Sequence, residues 1–155
     1  MENFLNGRGF LGTHATFRSD ASLILILLSM VLLAIGWQLK VHGREKIHCR
    51  FQTIAVILNT SVIAVVMIMP FLTAILPGIP GKLLEGSYGI TTVHALTGSI
   101  SMIFGIYVVL SANKLLPRRM RFKNYKLFMS TSLLLYLFTA LLGIAVYLIV
   151  FIGGV

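Results

Sequence analysis

A histidine lies inside an apolar stretch of the sequence, where residues 91–100 are TTVHALTGSI. An ionisable side chain within hydrocarbon costs free energy, so His94 is a candidate for a functional site. Two methionines, Met67 and Met69, lie in the preceding apolar stretch. An imidazole with one or two thioethers suits Cu(I), and a His–Met pair can also supply the axial ligands of a haem. Because methionine is also an ordinary filler of apolar cores, a purely structural interpretation is open too.

Small residues follow His94 at helical spacing. On a helix with 3.6 residues per turn, Gly98, Ser101 and Gly105 fall on the face that carries His94. Such stripes of small residues allow membrane helices to approach each other closely. A flat cofactor such as haem b could also lie on the glycines, with His94 as its axial ligand. The sequence leaves both interpretations open and favours helix packing.

Two other histidines are weaker candidates for metal ligands. His14 precedes the first apolar stretch and could join His94 if the N-terminal segment folds over the end of the bundle. His48 stands six residues after His42 in a basic loop, a spacing that does not place both side chains on one helix turn. For His42 and His48 the sequence favours solvated loop residues over metal ligands. Three possibilities therefore stay open: haem b, copper or no cofactor. The sequence favours the absence of a cofactor.

The composition indicates that these candidates belong to a membrane protein. Of the 155 residues, 57% are hydrophobic and 11% are charged, whereas soluble domains are about half apolar and a quarter charged. Four apolar stretches reach the length of about 20 residues that a helix needs to cross a bilayer. They are residues 21–39, 53–76, 88–111 and 128–152. We predict an all-α four-helix bundle over residues 20–152, with Ser19 or Asp20 capping its first helix.

Residues 1–19 form a separate N-terminal segment in this prediction. It mixes aromatic residues with three glycines, which oppose a regular helix. The aromatic side chains could enter the outer membrane interface, or the segment could pack across the outer mouth of the bundle.

Basic residues predict the orientation of the helices. Ten of the 13 lysines and arginines lie in the connections between the first and second or the third and fourth stretches. The positive-inside rule then places both connections in the cytoplasm and both termini on the outer side of the membrane. We predict that this membrane is the cytoplasmic (inner) membrane of the cell. This distribution argues against nucleic acid as a partner and favours anionic lipids or an acidic protein surface. The bases that could make such contacts are Arg44, Lys46, Arg50, Arg118, Arg119, Arg121 and Lys123.

Several kinds of chemistry lack the residues that they need. No carboxylate occurs in the interior of an apolar stretch, so a proton or cation pathway of the Asp/Glu type is poorly supported. The sequence contains no nucleophile–base motif, phosphate-binding loop or zinc-type Cys/His spacing. We therefore predict a protein that is not an enzyme.

Three segments resemble a bacterial and archaeal family of four-helix membrane proteins of unknown function. They are HGREKIHCR before the second stretch, VHALTGSI at the start of the third and FKNYKLFMS at the start of the fourth. The family includes the CtaM-type factors required for maturation of cytochrome c oxidase. The resemblance places His48 and His94 at two of the family's histidine positions. At the other two, this chain has the stretch with Met67 and Met69, and Tyr125.

Three functions follow as alternatives. The resemblance implies a non-enzymatic accessory or assembly subunit of a metal-containing respiratory or oxidase complex. The second alternative is a small b-type cytochrome or copper carrier that uses His94 with Met67 or Met69. The third is a structural anchor whose basic loops bind membrane lipids and a partner within a larger complex.

Overall fold

A computed structural model describes residues 7–153 of the chain and confirms the all-α fold. Its four long helices are α1 (Phe17–Val41), α2 (Glu45–Gly78), α3 (Gly86–Ala112) and α4 (Tyr125–Phe151). Each is long and apolar enough to cross a membrane, which makes the chain a multi-pass membrane protein. Helices α1, α2 and α3 extend past the predicted apolar stretches at both ends, because hydropathy marks the hydrocarbon core and not the polar turns at its edges. Helix α4 begins three residues before the predicted stretch and ends one residue before its predicted end. Of the predicted N-terminal segment, residues 1–6 lie outside the described part.

The start of α1 differs from the prediction. Thr16 is the N-cap, and its side chain accepts a hydrogen bond from the backbone N–H of Ser19 at 3.3 Å. Asp20 therefore lies inside the first turn, and the remainder of the N-terminal segment covers it. At the other end, Gly43 has a φ of +73°, a left-handed conformation in which glycine is favoured, and the chain turns directly into α2.

Proline distorts the second half of α2. Pro70 has no N–H to donate to the preceding turn, and its ring disfavours regular helix geometry around it. The helix accommodates Pro70 with two π-helical stretches, Ile63–Met67 and Phe71–Ile75, and ends in a 3₁₀ turn over Leu76–Gly78. A π turn is wider than an α turn, and such bulges often occur at functional sites. Met67 belongs to the first of them.

The helices pack mainly in two antiparallel pairs, α1 with α2 and α3 with α4, and α1–α4 and α2–α3 contacts close the bundle. The buried core contains Leu33 on α1, Ala55 and Val56 on α2, and Tyr136 on α4. Large apolar side chains cover much of the outside of the bundle, as expected for helices solvated by lipid.

The alternating helices give the bundle two different ends. The basic end holds the α1–α2 connection and the α3–α4 connection, residues 113–124. The terminal end holds the N-terminal segment, the α2–α3 connection (residues 79–85) and the last turn of α4. The predicted orientation would place the basic end in the cytoplasm.

Candidate functional site

The His94 ring lies between α3 and α4, in the half of the bundle near the terminal end. Its Nδ1 is 3.1 Å from the backbone oxygen of Thr139 on α4. A carbonyl oxygen only accepts hydrogen bonds, so Nδ1 carries the proton and, in the neutral ring, Nε2 keeps its lone pair. Gly143 makes room for the ring, since a Cβ atom there would lie 2.9 Å from His94 Cε1. The packing thus fixes the orientation in which Nε2 can accept a proton or bind a metal.

Two apolar cavities meet at His94. The deep cavity, of about 490 Å³, extends from His94 towards Leu33, Asn59 and Tyr136 in the middle of the bundle. The terminal cavity, of about 380 Å³, extends from His94 towards the terminal end of the bundle. Side chains of α1, α2 and α3 line both cavities: Ile26, Met67, Phe71, His94 and Ala95.

The two candidate methionines occupy different environments. Met67 lines both cavities together with His94. The Met69 side chain is 54% exposed on the lipid-facing side of α2. The π turns before and after Pro70 set which side chains of this part of α2 face the bundle interior. Of the two candidates, Met67 is therefore the one that the fold places at the cavities with His94. Met30 on α1, which the sequence interpretation did not select, also lines the deep cavity.

The small residues that follow His94 pack against α4. A Cβ atom at Gly98 would lie 3.4 Å from Thr139 Cγ2, and one at Gly105 would overlap the ring of Tyr136. Between them, the hydroxyl of Ser101 is 2.8 Å from Thr139 Oγ1 and donates to the backbone oxygen of residue 135 at 3.2 Å. A haem lying on both glycines would need the space that α4 side chains fill, although Gly98 also borders the deep cavity.

The other two candidate histidines lie apart from His94. His48 is only 4% exposed in the first turn of α2, at the basic end, with Nδ1 2.7 Å from the backbone oxygen of Gly36 on α1. It is thus an interhelix contact rather than a solvated loop residue. His14 is exposed in the N-terminal segment. Within residues 7–153, no three His, Cys, Asp or Glu side chains are grouped so that they could hold a metal ion.

The predicted lipid and partner surface lies at the basic end. Six of its seven members have exposed side chains: Arg44, Lys46, Arg50, Arg118, Arg119 and Lys123. Arg121 differs, since its guanidinium donates to the backbone oxygens of Leu116 at 2.7 Å and Lys114 at 2.8 Å. Lys114 has a φ of +62°, and these bonds hold the chain through that unusual turn. Arg121 therefore shapes the α3–α4 connection.

The sequence interpretation missed a buried carboxylate near the site. Asp20 is 0% exposed, although we expected either Ser19 or Asp20 to be a helix cap. Its Oδ2 accepts the backbone N–H of Leu11 at 2.7 Å, and its Oδ1 accepts the Tyr147 hydroxyl at 2.6 Å. That hydroxyl is also 2.8 Å from Thr13 Oγ1. We call these four residues the clasp, because they join the N-terminal segment to α1 and α4.

One signal in the sequence could have indicated the clasp. Asp20 opens the first apolar stretch, and Tyr147 lies near the end of the fourth. An up-and-down four-helix topology puts both at the same end of the bundle. Neither side chain alone predicts the contact, because the N-terminal segment supplies the third partner.

Comparison with known proteins gives no relative. No protein-family model, no curated protein and no solved structure matches the chain. The resemblance to the four-helix family that includes the CtaM-type factors therefore stays a prediction.

Proposed function

We propose that this chain is a non-enzymatic accessory or assembly subunit of a metal-containing respiratory or oxidase complex. The observation that supports the proposal is the surface of six exposed bases at the basic end. No base on that surface forms a salt bridge within residues 7–153, so these charges are available to an acidic protein surface or to anionic lipids. The resemblance of the chain supplies the kind of complex.

The apolar outer faces of the helices support the same proposal. Exposed side chains such as Leu96 and Ile103 on α3 and Leu134 and Leu141 on α4 can contact lipid or another membrane helix equally well. Charge at the basic end would then orient the partner, while helix packing within the bilayer would supply most of the contact area.

Affinity purification of the protein from its own membranes tests the proposal. We expect the wild-type chain to co-purify with a metal-containing oxidase complex, and its deletion to lower the activity of that complex. A variant with Arg118→Gln, Arg119→Gln and Lys123→Gln should lose most of the co-purifying complex. Arg8→Gln, an exposed base at the terminal end, is the control. A protein that purifies alone, with oxidase activity intact after its deletion, would refute the proposal.

The second candidate function is a carrier of Cu(I). The observation that favours it is that His94 and Met67 line the same two cavities, with His94 Nε2 left available by the bond from Nδ1. An imidazole nitrogen and a thioether suit Cu(I), and the bound Nδ1 would hold the ring in the required tautomer. Haem fits less well, because side chains of α4 pack against the face of α3 that carries Gly98 and Gly105.

Methionine variants separate the carrier from the accessory subunit. Copper analysis of the purified protein should find about one Cu(I) per chain, with no Soret band in the optical spectrum. Met67→Leu should abolish copper retention, whereas Met69→Leu, a matched change on the lipid-facing side of α2, should leave it unchanged. Equal retention by both variants, or no retention by the wild type, would exclude the carrier.

A further inference from the structure

An arginine stands at the outer part of the terminal cavity without a partner for one of its donors. Arg18, in the first turn of α1, lines this cavity. Its Nε is buried and has no hydrogen-bond partner within residues 7–153. A buried N–H without an acceptor costs free energy, so an anion bound there would be stabilised.

Among residues 7–153, the two carboxylates at the terminal end, Asp20 and Glu85, do not fill that role. Asp20 forms no salt bridge with Arg18, and both of its oxygens already accept hydrogen bonds from the clasp. Glu85 lies on the exposed α2–α3 connection. A second cation is close to the cavity, because Lys82 Nζ lies 5.3 Å from the ring centroid of Tyr88, which lines it. The terminal cavity thus combines unpaired positive charge with the aromatic and hydroxyl groups of Tyr88.

Below Arg18 the walls become apolar, and the cavity meets the deep cavity at Ile26, Phe71 and Ala95. Along α1, the distance from Arg18 to Ser29, which lines the deep cavity, is about 16 Å at the helical rise of 1.5 Å per residue. One leaflet contributes about 15 Å of the roughly 30 Å hydrocarbon core. The connected cavities therefore extend over the depth of one acyl chain beneath a headgroup at Arg18.

We propose that the two cavities form a binding site for one anionic phospholipid from the leaflet at the terminal end. The phosphate binds the Arg18 guanidinium, and one acyl chain passes His94 into the deep cavity. A guanidinium matches phosphate in geometry and charge, and the apolar cavities match the chain. A soluble anion would leave the apolar part of the site without a ligand. This inference does not depend on the proposed function.

Native mass spectrometry of the full chain in detergent, after removal of co-purified lipid, tests the headgroup. The probes are dioleoyl phosphatidylglycerol and, as the neutral match, dioleoyl phosphatidylcholine. We expect one phosphatidylglycerol per wild-type chain and weaker binding of phosphatidylcholine. Arg18→Gln should weaken phosphatidylglycerol binding about tenfold, the effect of losing one charge-assisted contact. Arg8→Gln, the same change at an exposed position on the same end, should not weaken it.

A second pair of variants tests the acyl chain. Ala95 borders both cavities, so Ala95→Phe should fill the passage between them and abolish retention of the lipid. Ala64→Phe, on the exposed side of α2, is the control for added bulk. Thermal unfolding in detergent checks that both variants fold. If Ala95→Phe does not fold, the comparison of Arg18→Gln with Arg8→Gln still tests the proposal.

Three results would overturn the proposal. The first is equal affinity of the wild type for the charged and the neutral lipid. The second is equal affinity of the two arginine variants for phosphatidylglycerol. The third is displacement of phosphatidylglycerol by an equal concentration of inorganic phosphate, which would identify a phosphate site without any part for the acyl chain.

Discussion

The substitution Tyr147→Phe removes one hydroxyl group from the clasp at the terminal end and tests how much the clasp stabilises the fold. The Tyr147 hydroxyl donates to Asp20 Oδ1 at 2.6 Å and is 2.8 Å from Thr13 Oγ1. Without it, the buried Asp20 carboxylate keeps the bond from the Leu11 N–H and loses its donor from α4. Phenylalanine fills nearly the same volume, so the change removes hydrogen bonds without opening a cavity.

The size of the effect follows from the charge and burial of the acceptor. A hydrogen bond to a charged group contributes about 1.5–3 kcal/mol, and losing it leaves a fully buried oxygen short of a donor. We therefore expect Tyr147→Phe to lower the free energy of unfolding by about 2 kcal/mol. For a chain of this length, that loss corresponds to a decrease in Tm of about 4–8 °C.

Two measurements in detergent check this prediction. Thermal unfolding gives the decrease in Tm, and hydrogen–deuterium exchange of the N-terminal segment shows whether residues 7–16 separate from the bundle. Tyr107→Phe is the matched control, because its hydroxyl donates to a neutral backbone oxygen, that of Met120 at 3.0 Å, near the exposed basic end. If both variants unfold at the same temperature and exchange equally in the N-terminal segment, the assigned role of the clasp is wrong.

Two further predictions concern packing and the α3–α4 connection. Gly105→Ala should destabilise the protein by about 1–3 kcal/mol, since its methyl group would overlap the buried Tyr136 ring. Gly98→Ala should be neutral or slightly stabilising in the same unfolding assay, because the nearest atom to the new methyl group is at ordinary contact distance. Equal effects of Gly105→Ala and Gly98→Ala on stability would contradict the described packing of these glycines against α4. Arg121→Gln should speed hydrogen exchange throughout residues 113–124, because two hydrogen bonds to backbone oxygens are lost. Arg119→Gln, an exposed position two residues away, should not speed this exchange. Faster exchange in both variants would mean that the loss of positive charge, and not the loss of these hydrogen bonds, causes the effect.

The sequence was sufficient to predict the architecture. Hydropathy is a local property, and runs of about 20 apolar residues separated by basic or Gly/Pro-rich connections leave few arrangements other than four antiparallel helices. The face shared by Gly98, Ser101 and Gly105 was also predictable, because helical periodicity alone determines it. Both predictions depend only on residues close together in the chain.

The site depended on contacts that no local pattern contains. Met67 and Met69 are equivalent by spacing, and the π turns around Pro70, together with the packing of α2, place one at the cavities and the other against lipid. His48 was expected in a solvated loop, yet its position opposite Gly36 buries it.

Asp20 shows most clearly the difference between what the local sequence predicts and what tertiary contacts decide. The sequence places a carboxylate at the start of an apolar helix, which predicts a cap, but its hydrogen-bond partners come from the N-terminal segment and from the opposite end of the chain. The sequence by itself therefore determined the helices and the faces along them. Tertiary structure decided which polar groups are buried and what they bind, because a buried polar group is stable only where distant parts of the chain supply its partners.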